Sequence, residues 1–527
     1  MLTHRCIPGS FGAAAHRDHI SDNEFKVPKY LQRKIPSRKT IPSEAKQEWI
    51  LACQQFLHRL TAVQPTDVEF RVRTYQLLCL PTAMLSLDDE DKAHNSRQRQ
   101  RSLKERLAEV FLTDGEDLVF AKPEDDGSQI SSDEDMDELY EDDAEEKRQD
   151  KHRKQRKTQR QAEKKIDKCV ILAQMGAWHK ALQTLQPSKL ADSSAPEVQQ
   201  LCRSLFPRRC NEAKLPTPPE SEPLTILPGE VYDSITKLRR GAAPGLSGWT
   251  RELLAVLKCD NVCITGLAAL LTAYVNRQLG SQLEGFLATS NLVPFCKDGV
   301  STNKGVRPIC LGEVFVKMCA HILMNRQRSN IRESICNTQF GVGKGVEKAL
   351  IELEGIELKH DDDDKCLVKL DLSNAFNSVS RVAFLTELYA NNHLRHLFQL
   401  VDALYGKPSE VLLTRPDGEL VGKIHQEEGT RQGDVLALLL FCLGLNAIGV
   451  DFIKRELPHI MYVDDITLKV PLKIVPVLLA HLSDQLKARG LRLNVSKTQI
   501  LVKPGKVAEA MVGASLHCVF KASQCSS

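Results

Sequence analysis

Apolar residues recur at helical spacing over most of the chain, with short alternating runs between the helical segments. In the N-terminal part, residues 44–60 and 70–80 carry apolar side chains three and four positions apart, which predicts two helices. Helices are also predicted at 229–240, 252–257, 262–279, 311–328, 346–359, 381–390, 394–405, 434–454 and 472–489. Strands are predicted at 292–295, 366–372, 410–415, 419–426, 491–494 and 498–502. Helices alternating with short, partly antiparallel strands indicate an α+β fold.

Charge and proline content divide the chain further. Residues 116–146 are strongly acidic, and a self-repelling block with little apolar mass is expected to be disordered. The basic block at 147–168 fits a solvent-facing helix, a nuclear-import signal or a nucleic-acid-binding arm. The expected regions are 1–115, helical and either structural or partner-docking; 116–168, a linker; 169–228, a helical segment ending in a Pro-rich linker; 229–505, the main domain; and 506–527, an unstructured tail.

Length, charge and cysteine content indicate where the protein acts and whether it meets a membrane. A length of 527 residues allows several domains, and a net charge of only +3 favours no partner for the chain as a whole. The 16 cysteines show no metal-ligand spacing, which indicates reduced thiols in an intracellular protein of the nucleus or cytoplasm. The N-terminus lacks an apolar signal segment, and the apolar run at 435–450 is short for a membrane span. No membrane association is therefore expected.

One hairpin pattern carries two adjacent carboxylates. Asp464 and Asp465 interrupt the apolar, β-branched run of residues 459–468, where a tight turn between two strands suits aspartate. Because side chains alternate along a strand, one carboxylate is expected to face a site while the other supports it. A surface hairpin with a charged tip would give the same pattern, so the hairpin alone does not establish a site.

A third carboxylate follows another apolar strand. Asp371 ends the run Val368-Lys369-Leu370, where burying its charge costs several kcal/mol unless something compensates it. A divalent cation shared with Asp464 would do so, and hard oxygen ligands suit Mg²⁺. Two such ions, roughly 3.5–4 Å apart, activate an attacking hydroxyl and stabilise a leaving oxygen. Alternatively, Asp371 is the N-cap of a helix at 373–378.

Seven segments together resemble the motifs of reverse transcriptases. DLSNAF (371–376), EGTRQGD (428–434), YVDD (462–465) and GLRLNVSKT (490–498) occur in the order of those motifs. Three upstream segments resemble those of non-LTR, LINE-type retrotransposon enzymes, with a site-specific, SLACS/CRE-like branch as one option: GAAPGLSGW (241–249), Lys297 with Arg307-Pro308-Ile309, and QFGVGKG (339–345). The resemblance spans about residues 227–502. It implies right-hand polymerase fingers and palm, with an antiparallel palm sheet and packed helices behind a helical, partly disordered N-terminal extension.

The resemblance also implies a role for each matching residue. The catalytic and metal-binding carboxylates would be Asp371, Asp464 and Asp465, of which Asp465 is adjacent and supporting. The cofactor would be two Mg²⁺ ions, with Mn²⁺ as an alternative. Phe376 would lie beneath the sugar and disfavour a 2′-hydroxyl, unless it is ordinary core. Lys497 resembles the proposed proton donor to pyrophosphate. The remaining substrate-binding residues would be Gln432 and Gly433 against nucleotide and template, and Lys297 and Arg307 at the triphosphate; the three basic residues could instead be solvated surface charges.

The implied activity is RNA-directed DNA synthesis, a nucleotidyl transfer with an RNA template, a DNA primer or target and deoxynucleotides as partners. The segment 435–439 lacks two prolines that the family commonly has, which leaves the helix start less fixed. Little sequence follows Val502 to form a helical thumb, a zinc knuckle or an endonuclease, which implies truncation. The alternatives are a truncated protein that only binds RNA, an RNA-dependent RNA polymerase, which Phe376 disfavours, and a maturase-like protein.

Overall fold

A computed structural model describes residues 40–85, 166–167, 169–170, 190–209, 214–297, 302, 305–359, 364–415, 418–502 and 519–522. The chain divides into two compact units. The smaller unit takes its described residues from Val119–Asp192 and Pro294–Arg307, and the larger unit contains the N-terminal helices, Ser193–Val293 and the chain from Pro308 onward. The acidic block, nearly all of the basic block and most of the helical segment predicted after residue 168 lie outside the described residues.

The helices of the described chain mostly follow the predicted pattern. They are α1 (Lys46–Ala62), α2 (Val68–Met84), α3 (Pro196–Ser204), α4 (Pro228–Lys237), α5 (Arg251–Val256), α6 (Asn261–Val275), α7 (Ser281–Ala288), α8 (Val314–Arg326), α9 (Arg328–Ser334), α10 (Val346–Lys359), α11 (Ala375–Ser378), α12 (Arg381–Tyr389), α13 (Phe398–Tyr405), α14 (Ala437–Lys454) and α15 (Val475–Ala488). The strands are β1 (Ser290–Cys296), β2 (Val306–Leu311), β3 (Lys365–Leu370), β4 (Ser409–Thr414), β5 (Leu420–Gln426), β6 (His459–Tyr462), β7 (Asp465–Pro471), β8 (Gln499–Val502) and β9 (Val519–Ala522).

The two N-terminal helices belong to the core of the larger unit. Helix α1 packs along α6, where Gly266 leaves room for its backbone: a Cβ at Gly266 would lie 2.4 Å from the carbonyl oxygen of Leu57. Trp49 and Trp249 are fully buried, and their ring centroids lie 5.3 Å apart. The apolar faces of these helices are thus covered by the chain itself, which favours the structural role expected for this region.

The strands form two sheets. The first has the order β2-β1-β4-β5, in which β1 runs parallel to β4 through Ser290–Leu292 and β4 pairs antiparallel with β5. The second has the order β6-β7-β3-β8-β9, and its first four strands are antiparallel. Together with the packed helices, these sheets confirm the expected α+β class.

Three expectations about individual elements are wrong. Residues 506–527 were expected to be unstructured, yet Val519–Ala522 form β9, because the free edge of β8 offers backbone groups to a parallel partner. The predicted strand at 491–494 is a single bridge between Leu493 and Leu372. The helix predicted to reach residue 279 ends at Val275, where Arg277, with a φ of 60°, turns the backbone.

Helix α14 is the most apolar long helix of the described residues. It is long and apolar enough to cross a membrane by length and composition, the one such helix in the described chain. Most of its side chains are nevertheless buried inside the protein, including Phe441 and Leu445, and it packs against α12. This burial agrees with the prediction of a core helix for the apolar run at 435–450.

Candidate active site

Three carboxylates lie at one end of the second sheet, which is the central sheet of the candidate site. In the antiparallel pair of β3 and β7, Leu370 lies opposite Ile466. Asp371 follows Leu370, and Asp464 and Asp465 precede Ile466, so all three emerge at the same edge of the sheet. The predicted convergence of Asp371 with the hairpin follows directly from this register.

The two hairpin carboxylates face different surroundings. Asp464 is partly buried, whereas the Asp465 side chain is 64% exposed and lies 3.8 Å from Nζ of Lys369. Burial raises the pKa of Asp464; a hydrogen bond with its own backbone opposes the shift, and the negative charges of Asp465 and Asp371 add to it. Asp464 is therefore the more buried of the two carboxylates, and its role as the one that faces a site stays a prediction.

The donor set suits a divalent cation at two of the three predicted ligands. Asp371 and Asp464 act on one another as like charges, a repulsion that a cation bound between their oxygens would relieve. Asp465 instead pairs with Lys369. Within the residues that the structure describes, no group of three or more Asp, Glu, His or Cys side chains is arranged as a metal centre. Asp371 and Asp464 thus fit a metal better than the full triad does.

The backbone of Asp371 is fixed by the segment that carries Lys497. The Asn494 N–H donates to the Asp371 carbonyl oxygen over 2.7 Å, and the Ser373 N–H donates to that of Arg492 over 2.9 Å. Lys497 itself is exposed near the end of this segment. Asp371 does not cap a helix, because α11 begins at Ala375 and its N-cap position is Asn374.

Phe376 lies partly buried on α11, five residues after Asp371. Its ring stacks on that of Phe441 in α14, with centroids 4.8 Å apart and planes inclined by 18°. The Thr430 N–H donates to the Phe376 carbonyl oxygen over 2.7 Å. This bond connects the segment that follows Asp371 to the EGTRQGD loop (428–434).

The EGTRQGD loop requires glycine where it passes close to other backbone. Gly433 has a φ of 108°, and a Cβ there would lie 2.6 Å from the carbonyl oxygen of Cys310. The neighbouring Gln432 carbonyl accepts a 2.7 Å hydrogen bond from the Cys310 N–H. This bond holds Cys310 against the loop, in which Gln432 is partly buried and Gly433 is exposed.

Two buried arginines, Arg381 and Arg431, hold the same loop by hydrogen bonds, and neither was predicted from the sequence as a support. Arg381 is fully buried and donates to the carbonyl oxygens of Gly429, Tyr405, Lys407 and Gln426. Burial, with the nearby charge of Arg431, lowers the pKa of Arg381 to about 9, which leaves it charged at neutral pH. A cation at the first position of α12 opposes the helix dipole, and this mismatch was the available signal.

Arg431 makes a second set of contacts within the loop. It donates to the side-chain oxygens of Gln426 and Ser409 and to the carbonyl oxygen of Leu404. Both guanidinium groups therefore donate hydrogen bonds to neutral oxygens, which fixes the backbone of residues 426–431. Gln432 and Gly433 remain at the surface of the loop.

Lys297 and Arg307 belong to the smaller unit, whereas the carboxylates belong to the larger one. Both side chains are exposed. The Lys297 N–H donates to the Gly305 carbonyl over 3.0 Å, and the Gly305 N–H donates to that of Thr302 over 2.7 Å. A role of these residues at the triphosphate stays a prediction.

Comparison with known proteins finds similarity to reverse transcriptases over part of the chain. Residues 297–512 match the family described as reverse transcriptase (RNA-dependent DNA polymerase). The chain is 31% identical over 327 residues to the 132 kDa protein of the retrotransposable element SLACS from Trypanosoma brucei gambiense, a match that covers 61% of this chain. It spans 27% of the length of that relative. Both matches agree with the resemblance to reverse transcriptases that the sequence motifs indicate.

Solved telomerase structures share a weaker likeness. Apo telomerase from Candida tropicalis matches with a TM-score of 0.31 and 12% identity, over 41% of this chain and 44% of that one. Telomerase from Candida albicans, solved with a fragment of telomeric RNA, matches with a TM-score of 0.30 and 14% identity, over 41% and 42% of the two chains. Similarity at this level carries no conclusion about function.

Proposed function

We propose that the protein is an RNA-directed DNA polymerase that adds deoxynucleotides to a primer 3′-hydroxyl. The observation that carries the proposal is the placement of Asp371 and Asp464 at one end of the central sheet, beside Phe376 and the EGTRQGD loop. The oxygen of the primer hydroxyl attacks the α-phosphorus of the nucleotide, its proton departs, and the bond to pyrophosphate breaks. One new phosphodiester bond forms for each phosphoanhydride bond lost.

Asp371 and Asp464 would hold divalent cations, Mg²⁺ or alternatively Mn²⁺, which supply activation of the hydroxyl and charge stabilisation at the phosphates. The support is the charge of the site, in which Asp464 is partly buried and is repelled by the negative charge of Asp371. Phe376 would lie under the sugar and Gln432 against the base pair. Lys497 would supply the proton to the departing pyrophosphate, and Lys297 and Arg307 would bind the triphosphate.

The proposed partners are an RNA template, a DNA primer or target, and deoxynucleotides. The reaction is proposed to occur inside the cell, in the nucleus or the cytoplasm. The cysteines of the described residues support this setting, because they are free thiols and nearly all are buried or partly buried.

Primer extension by the full chain on an RNA template tests the proposal. Wild-type protein is expected to extend the primer with deoxynucleotides and Mg²⁺. In Asp464→Asn the rate of extension is expected to be lower by at least about 100-fold. Asp464→Asn should keep the circular dichroism spectrum of the wild type. Extension that prefers ribonucleotides would identify an RNA polymerase instead, and RNA binding without extension of any kind would identify a protein that only binds RNA.

A further inference from the structure

The turn that presents Asp464 has an unfavourable backbone. Tyr462 pairs with Asp465 across the hairpin, so Val463 and Asp464 form a two-residue turn. Val463 has a φ of 60°, in the left-handed region. A β-branched residue is rarely found there, because its Cβ crowds the neighbouring carbonyl. Something outside the hairpin must hold this peptide in place.

The side chain of Gln339 contacts both polar groups of Val463. Its Oε1 accepts a 2.8 Å hydrogen bond from the Val463 N–H, and its Nε2 donates to the Val463 carbonyl oxygen over 3.2 Å. The same Oε1 accepts from the Gly341 N–H over 3.0 Å. Gln339 is only 2% exposed, so these three bonds are made away from competing water.

Gln339 is itself fixed by a backbone strap, residues 338–341, along the outer edge of β6. The Met461 N–H donates to the Thr338 carbonyl over 2.9 Å, and the Phe340 N–H donates to that of Met461 over 2.7 Å. The strap passes so close to the turn that a Cβ at Gly341 would lie 2.6 Å from Cγ2 of Val463. β6 is the first strand of its sheet, so the strap also covers an otherwise unpaired edge.

We propose that Gln339 is a positioning residue that holds the Val463 peptide in its left-handed turn and thereby aims Asp464 at Asp371. The effect on catalysis rests on the function proposed above, whereas the hold on the hairpin does not. Because Gln339 lies about 120 residues before the hairpin in sequence, the aim of the carboxylate depends on the packing of the strap against β6.

Amide hydrogen exchange on the full chain tests the hold directly. Gln339→Met keeps the size of the side chain and removes its hydrogen bonds, and Gln327→Met is the matched control, because Gln327 is also buried and contacts His396 instead. Exchange in peptides covering 459–468 is expected to accelerate about 10-fold in Gln339→Met only, with α12 peptides unchanged. Unchanged exchange in 459–468, or equal acceleration in both variants, would overturn the proposal.

Kinetics of the same variants test the consequence for catalysis. Gln339→Met is expected to lower kcat by about 10- to 100-fold, with the KM for deoxynucleotide changing by less than about threefold, because the carboxylate is displaced rather than the nucleotide site. Gln327→Met should stay near the wild type. A rise in KM at unchanged kcat would contradict the positioning role. Absence of extension by the wild type would refute the polymerase function, while the exchange result would still decide whether Gln339 holds the turn.

The left-handed turn gives a second, independent variant. Glycine adopts a positive φ without strain, so Val463→Gly should lessen the need for the hold. The kcat loss from Gln339→Met is expected to shrink to about threefold or less when it is made in Val463→Gly protein. An equal loss in both backgrounds would show that Gln339 does not act through the Val463 turn.

Discussion

The ring of Phe376 stacks on the ring of Phe441, with centroids 4.8 Å apart and planes inclined by 18°. Phe441 is fully buried in α14, so it forms a fixed floor for a ring that is only partly covered. Phe376 lies five residues after Asp371 and is proposed to meet the nucleotide sugar. The preference for deoxynucleotides is expected to depend on this ring.

Phe376→Ala is expected to lower the preference for deoxynucleotides over ribonucleotides by about 10- to 100-fold, because the bulk that meets a 2′-hydroxyl is removed. The measurement is kcat/KM for a deoxynucleotide and its ribonucleotide counterpart in single-nucleotide extension. Phe376→Tyr, which keeps the ring, should retain the preference. An unchanged ratio in Phe376→Ala would mean that Phe376 is an ordinary core residue.

Gly433→Ala is expected to destabilise the EGTRQGD loop by about 1–3 kcal/mol, because its φ of 108° and the close carbonyl of Cys310 leave no place for a Cβ. Urea denaturation and the KM for deoxynucleotide measure the effect. Gly285→Ala is the control: no atom lies within 4 Å of a Cβ there, and α7 should gain about 0.5–1 kcal/mol. Equal effects of the two substitutions would contradict this explanation.

Arg381→Met is expected to cost about 3 kcal/mol or more of folding free energy, because the carbonyls of Gly429, Tyr405, Lys407 and Gln426 lose a buried donor. Arg381→Lys should cost less, since it keeps the charge but cannot reproduce the planar fork of donors. Urea midpoints provide the measurement. The exposed Arg395→Met should change stability by no more than about 0.5 kcal/mol, and a similar result for Arg381→Met would refute its role beneath the loop.

Asp464→Asn is expected to raise the melting temperature of the metal-free protein at pH 7. The pKa of Asp464 is raised above its ordinary value of 3.8, so the folded state holds this proton more tightly than the unfolded chain does. The loss of folding free energy from Asp464 begins as the pH rises past the pKa of Asp464 in the unfolded chain. It is complete once the pH exceeds the pKa of Asp464 in the folded protein as well. The gain from Asp464→Asn should therefore be present at pH 7 and absent near pH 3.

Addition of Mg²⁺ should raise the melting temperature of the wild type more than that of Asp464→Asn, because a bound cation relieves the same repulsion. Asp465→Asn is the comparison variant. Because Asp465 is exposed beside Lys369, the rise in melting temperature with Mg²⁺ should stay closer to that of the wild type in this variant than in Asp464→Asn. A lower melting temperature for metal-free Asp464→Asn at pH 7 would contradict the electrostatic account.

The site was predictable from the sequence where local pattern determines geometry. Asp371 ends an apolar strand and Asp464 lies in a hairpin turn, so the pairing of β3 with β7 was enough to bring their ends together. Arg381 and Gln339 were not predictable as supports, because their partners lie on segments remote in sequence and only the packing of those segments creates the contacts. β9 was missed because its strand pairing depends on the edge of β8 rather than on its own pattern.

The central claim is that Asp371 and Asp464 catalyse DNA synthesis on RNA, and primer extension with purified full-length protein tests it most directly. The assay compares the wild type, Asp371→Asn and Asp464→Asn on one RNA template with Mg²⁺ and deoxynucleotides. The account predicts extension by the wild type and a loss of at least about 100-fold in each variant. Extension by either variant at the wild-type rate would contradict it.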